Sequence, residues 1–167
     1  MNDDQKLIFP VITGIEVAFS SKPEQERCVH SELAAVPSTL IFQKSVENDI
    51  LLVYQAGKRL PAPFAKRQRG DAILIAPDMV AFEDLQAFPE VWDFIQSMRD
   101  KLYSDRQLCT VKLSPQMKDV FSELEQIPIP PTMFRFFIQL KVFEILLLLS
   151  AVNLYGQQVH FYPYAEI

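Results

Sequence analysis

TMFRFFIQLKVFEILLLLSAVNLYG, residues 132–156, is the stretch whose reading decides the fold. It is apolar around most of a helical circumference, and such a helix belongs in a core or at an interface between chains. Thr132, after Pro130 and Pro131, is suited to cap its start, and Gly156 to supply the left-handed residue that ends it. The span predicts roughly 22 helical residues, or about 33 Å. That length raises the question of a membrane. Arg135, Lys141 and Glu144 interrupt the run, and its longest stretch free of strongly polar residues, Ile145 to Leu149, is far shorter than a bilayer demands. No membrane partner is expected.

Working outward, Ser114 and Pro115 open a second helix as N-cap and first helical residue. Met117, Val120, Phe121 and Leu124 follow at helical spacing, with Lys118, Asp119, Glu123 and Glu125 on the other side. The Pro-rich link before residue 132 is short, so the two helices are expected to form an antiparallel pair. Earlier still, Val91, Trp92, Ile95, Met98 and Leu102 recur at spacings of three and four behind Pro89, predicting a helix over 89–103.

Before Pro77 the period changes to that of strands. Ile15, Val17 and Phe19 alternate after a segment broken by Pro10 and Gly14. Residues 39–43, 50–55 and 72–76 carry further strand signals with turn residues between them. Strands first and helices afterwards predict an α+β fold: a small β barrel or sandwich, followed by a helical region. The division falls as 1–77 for a β-rich unit and 78–167 for the helical part, together one compact domain.

The 167 residues are one domain's worth, with a formal net charge of −5. Up to Pro77 there are nine basic and nine acidic residues, and beyond it seven and twelve, so the helical half repels nucleic acid and no direct DNA binding is expected. The run KRLPAPFAKRQR, residues 58–69, holds five basic residues and no acidic one. It reads first as a solvated connection, and second as a place for an anionic ligand. The N-terminus, with Asp3 and Asp4, lacks the pattern of a secretory leader, so a cytoplasmic location is expected.

Little in the chain suggests catalysis. There is no phosphate loop, dinucleotide turn or nucleophile elbow, and only two histidines, His30 and His160. Cys28 and His30 are too few to hold a metal, and Cys28 and Cys109 are compatible with reduced thiols. Neither an enzyme nor a cofactor is expected. In the β-rich part Phe42, Tyr54, Phe64 and Arg67 are the candidates to meet a small-molecule effector, against the alternative of a solid core. On the long helix Phe136, Leu140, Phe143, Leu147 and Leu154 form the most continuous apolar stripe. They are the candidates for a homodimer interface, against burial within the chain.

The run VKLSPQMKDVFSELEQIPIPPTMFRFFIQLKVFEILLLLS, residues 111–150, carries a further signal. It resembles the end of the N-terminal sensor region of AraC/XylS-type bacterial transcription regulators, above all their siderophore-regulator branch. In that family a short strand and an L-x-P-x-M opening lead through two helices, the second bearing K-x-x-E-L-L. Here Leu113, Pro115 and Met117 match the opening, and Lys141, Glu144, Ile145 and Leu146 the second helix. PEVWDFIQSM and GDAILIAPD resemble the preceding helix and a late sensor strand. The resemblance implies that residues 1–77 form a cupin-like β barrel or sandwich that senses a small molecule and that residues 78–167 are a helical dimerisation region, and the family's helix-turn-helix region has no counterpart in the 167 residues. The reading from a different class is a non-enzymatic protein-interaction module, of the inhibitor or immunity type, whose acidic helical surface meets a basic target.

Overall fold

The structure, a computed structural model, describes residues 7–19, 33–45, 49–65, 70–105, 107–126, 130–152 and 159–165. The chain runs β1 (Leu7–Ile12), β2 (Ile15–Phe19), β3 (Leu40–Lys44), β4 (Ile50–Gln55), α1 (Ala62–Ala65), β5 (Ala72–Ile75) and α2 (Pro89–Asp105). It continues through β6 (Gln107–Lys112), α3 (Pro115–Glu125), α4 (Phe134–Ser150) and β7 (Val159–Pro163). The fold is α+β. All seven strands belong to one antiparallel sheet in the order β1-β2-β5-β3-β4-β6-β7.

Where the sequence predicts a barrel or sandwich, the pairing is that of an open sheet. Among the described residues no ladder joins β1 to β7. The physical reason lies in β6 and β7, which periodicity had not marked as strands. They extend the sheet beyond β4, so residues on both sides of Pro77 build it, and three helices cover one face instead of a second sheet.

Strand alternation sorts the side chains cleanly. Ile15 and Val17, Ile73 and Ile75, Leu40 and Phe42, and Leu51 and Val53 point to the helical side, where they meet Ile95, Met98, Phe121, Ile138, Val142 and Ile145 in one buried cluster. Each such side chain is worth about 1.5–3 kcal/mol when taken from water. The opposite face is covered as well: Ala18, Ala72, Leu74 and Leu33 form one cluster, and Leu52, Tyr54, Leu60 and Leu108 another. This is why β5 is buried at every position.

The helices begin and end for local reasons. Ser114 caps α3 by accepting a bond from the Met117 N–H at 3.2 Å, and Pro115 takes the first helical turn. Met117, Val120, Phe121 and Leu124 are all buried, as their spacing predicts. The long helix is shorter than expected. Thr132 lies in a 3-10 turn, Pro131–Met133, closed by a bond from the Met133 N–H to the Pro130 carbonyl, so the cap position falls on Met133 and not on Thr132. At the other end Ala151 turns its N–H back onto Leu148 and Leu149. Gly156 lies outside the described residues.

Packing holds α4 on three sides. It lies against α2, α3 and β1, with Ile138, Val142, Ile145, Leu146 and Leu149 as its buried residues. The Gln139 amide donates to the Val11 carbonyl at 2.6 Å, beside the register shift between Pro10 and Ile12. Pro10 is tolerated there because β1 ends the sheet.

Candidate interaction face and cleft

The fourth side of α4 is open. Phe136 and Leu140 keep 66% and 68% of their surface exposed, and Met133 keeps 52%. The three stand at spacings of three and four and make one adjoining apolar surface at the start of α4. Phe143 and Leu147 continue the same side but are half-buried: the Phe88 ring stacks on Phe143 with centroids 5.5 Å apart, and Leu147 packs against the core. The stripe therefore stands proud at its N-terminal end and sinks toward its C-terminal end. Leu154, predicted to extend it, lies outside the described residues.

The charged residues beside this face are already engaged. Lys141 bridges Glu123 of α3 and Glu144, the latter at 3.3 Å, and its ammonium also lies over the Phe137 ring, 5.6 Å from the centroid. The Glu123 contact, above all, holds the Lys141 pKa above its ordinary value. Lys141 and Glu144 thus bring paired charges to the edge of the stripe.

Of the residues expected to meet an effector, Phe42, Tyr54 and Phe64 are described, and they lie on two different faces of the sheet. Phe42 stands opposite Val53 in the ladder and faces the helices, fully buried beside Phe94 with centroids 6.0 Å apart. It packs as a core residue, the alternative open to it beside a cavity lining. Tyr54, one position from Val53, faces the other way, and its hydroxyl donates to the Gln43 Oε1 at 2.8 Å. The Gln43 amide in turn donates to the Gly70 carbonyl at 3.3 Å. Phe64 shares Tyr54's face, half-buried against Tyr162. Arg67 lies outside the described residues, as do residues 66–69 of the basic run.

A cleft of about 570 Å³ opens elsewhere, at the end of the sheet where β4 turns back. It is lined by Pro37 and Ser38 before β3, by Gln55 at the end of β4 and residues 56–58 after it, and by Tyr103 of α2. The Tyr103 hydroxyl donates to the Ser38 carbonyl, and Gly57, at φ +78°, makes the turn. Sequence inspection could not find this site, because its walls come from three separated segments with no shared motif. Nearby, Tyr164 accepts the Gln55 N–H at 2.8 Å; burial pushes its hydroxyl up to about 12.

Among the described residues no group of three or more His, Cys, Asp or Glu is placed to hold a metal. Cys109 is a buried free thiol whose pKa burial pushes up to about 12, so it stays protonated and unreactive. No described helix is long and apolar enough to cross a membrane. Comparisons with protein-family models, curated proteins and solved structures find no match to this chain.

Proposed function

We propose that this chain is a regulatory module that associates with itself through the open face of α4 and takes a small-molecule effector in its β-rich part. The observation that carries the reading is the exposure of Phe136 and Leu140 on a helix otherwise locked into the core by Ile138, Val142 and Ile145. Adjoining large apolar side chains left in water, unlike a lone exposed one, are the surface pattern that interaction faces carry. The resemblance of residues 111–150 to the dimerising region of AraC/XylS-type sensors supports the same assignment. In that setting DNA would be bound by a separate domain. The open cleft beside Tyr103 is the place this reading assigns to the effector.

The test is a Phe136→Glu, Leu140→Glu double variant run beside the unaltered chain on a sizing column, with circular dichroism and thermal melts as the check on folding. Both positions are exposed, so the variant keeps its fold. The proposal expects the unaltered chain to elute as a dimer and the variant as a folded monomer. An unaltered chain that stays monomeric at high concentration contradicts it and leaves the face to a different protein.

A further inference from the structure

We propose that the cleft beside Tyr103 binds a small hydroxycarboxylate, with Gln55 as its buried anchor and Lys58 as its counter-charge. This rests on the reading that the cleft takes the effector, and adds the chemistry the effector must carry.

Gln55 ends β4 and stands opposite Leu40 in the ladder. Alternation turns its side chain to the helical side, as it does those of Leu51 and Val53, and there it lines the cleft together with Tyr103 of α2. Its backbone is engaged: the N–H donates to the Tyr164 hydroxyl at 2.8 Å, and the carbonyl accepts the Lys58 N–H at 3.3 Å. The carboxamide is left over. Only 8% of the residue is exposed, yet the carboxamide has no hydrogen-bond partner among the described residues. Polar side chains buried to that depth are ordinarily paired within the fold, as Thr39, Gln43 and Tyr54 are here. A ligand group that donates to its oxygen, or accepts from its amide, completes it.

The charge of the ligand follows from the rest of the lining. Lys58 is its one charged residue, and no carboxylate lines the cleft. Among the described residues Lys58 makes no ion pair; its ammonium lies over the Tyr164 ring, 6.0 Å from the centroid. Asp78, whose charge bears on the Tyr103 hydroxyl, is held by Arg99 at 3.2 Å. An anion is therefore what the cleft attracts. The Ser38 hydroxyl, also without a partner among the described residues, adds a donor beside it. A carboxylate for Lys58 and Ser38, and a hydroxyl for the Gln55 oxygen, satisfy all three groups.

The experiment follows the amide NMR signals of the isotope-labelled chain as lactate or glycerate is added through the millimolar range. Propionate and lactamide are the counterparts that lack the hydroxyl and the charge. Melting midpoints check the fold of two variants, Gln55→Met and Lys58→Gln. The expected result is that lactate or glycerate moves the signals of residues 37–38 and 55–58, binding about tenfold more tightly than either counterpart. Gln55→Met should erase the preference over propionate without lowering the midpoint, since no bond within the fold is lost. Lys58→Gln, at an exposed position, should erase the preference over lactamide. A lowered midpoint in Gln55→Met with the preference kept makes Gln55 structural and overturns its role as anchor. Propionate or lactamide binding at the cleft as tightly as lactate and glycerate overturns the ligand class and leaves the cleft as the effector's place. Binding whose signals lie away from the cleft, or that neither variant alters, overturns the cleft as that place. No binding by any of the four compounds overturns the inference, while self-association through α4, read by mass, stands or falls separately.

Discussion

Gly70 lies so close to Lys44 that a Cβ built on it would stand 1.7 Å from the Lys44 carbonyl oxygen. The approach is enforced by pairing: the Lys44 N–H donates to the Asp71 carbonyl at 2.9 Å, and the Gln43 amide to Gly70 itself. Gly70→Ala is expected to push β5 off β3 and cost about 3 kcal/mol or more in urea unfolding. At Gly57 a Cβ would meet open space, and only its φ of +78° opposes a side chain. Gly57→Ala is expected to cost about 1–2 kcal/mol. Equal losses at the two sites would contradict the close approach.

Phe42 and Tyr54 sit on opposite faces of the sheet, and their variants should behave differently. Phe42→Ala empties a core position and is expected to lose about 3–5 kcal/mol. Tyr54→Phe keeps the ring and strands the Gln43 Oε1 without its donor, a loss of about 1–3 kcal/mol. Denaturant midpoints for the two variants measure this directly.

Helix α3 depends on its cap. Ser114→Ala removes the acceptor for the Met117 N–H and is expected to lower stability by about 1 kcal/mol, with Ser114→Asp restoring it. The same measurement on Thr132→Ala should show little change, since Thr132 does not cap α4.

Alkaline pH should unfold the chain more readily than its charge alone would. Burial raises Cys109 from 9.0 to about 12 and Tyr164 from 10.0 to about 12. Both groups are neutral when protonated, so their raised folded pKa values contribute stability that is whole below pH 9. That contribution is lost as pH climbs through 9 and 10 toward 12, where the unfolded chain releases protons the folded one retains. The midpoint for unfolding is expected to fall steadily across this window, and less steeply in Cys109→Ala and in Tyr164→Phe. In a Cys28→Ser background the native thiol should resist a thiol reagent until the chain unfolds.

The helices α2 and α3 were legible because their buried residues recur at helical spacing and because Ser114 and Pro115 announce a start. The strand β2 was legible as alternation, and β3, β4 and β5 as short runs between turn residues. β6 was not: Leu108 to Val111 are buried on both faces, which erases alternation, and Cys109 and Thr110 interrupt the apolar run. β7 is an edge strand with mixed exposure, VHFYP, whose place depends wholly on its pairing with β6. Without those two strands an open sheet could not be told from a barrel. The stripe on α4 was visible in sequence, yet its exposure gradient was not, because Phe88, which half-covers Phe143, comes from before α2. Met133 escaped notice for a related reason, since its protrusion follows from the 3-10 turn that starts α4.

The most direct test of self-association through α4 is the light-scattering mass of the unaltered chain over a dilution series. The account predicts about 38 kDa at high concentration, twice the 19.2 kDa of one chain, falling toward the single-chain mass on dilution. A mass of 19.2 kDa at every concentration would contradict it.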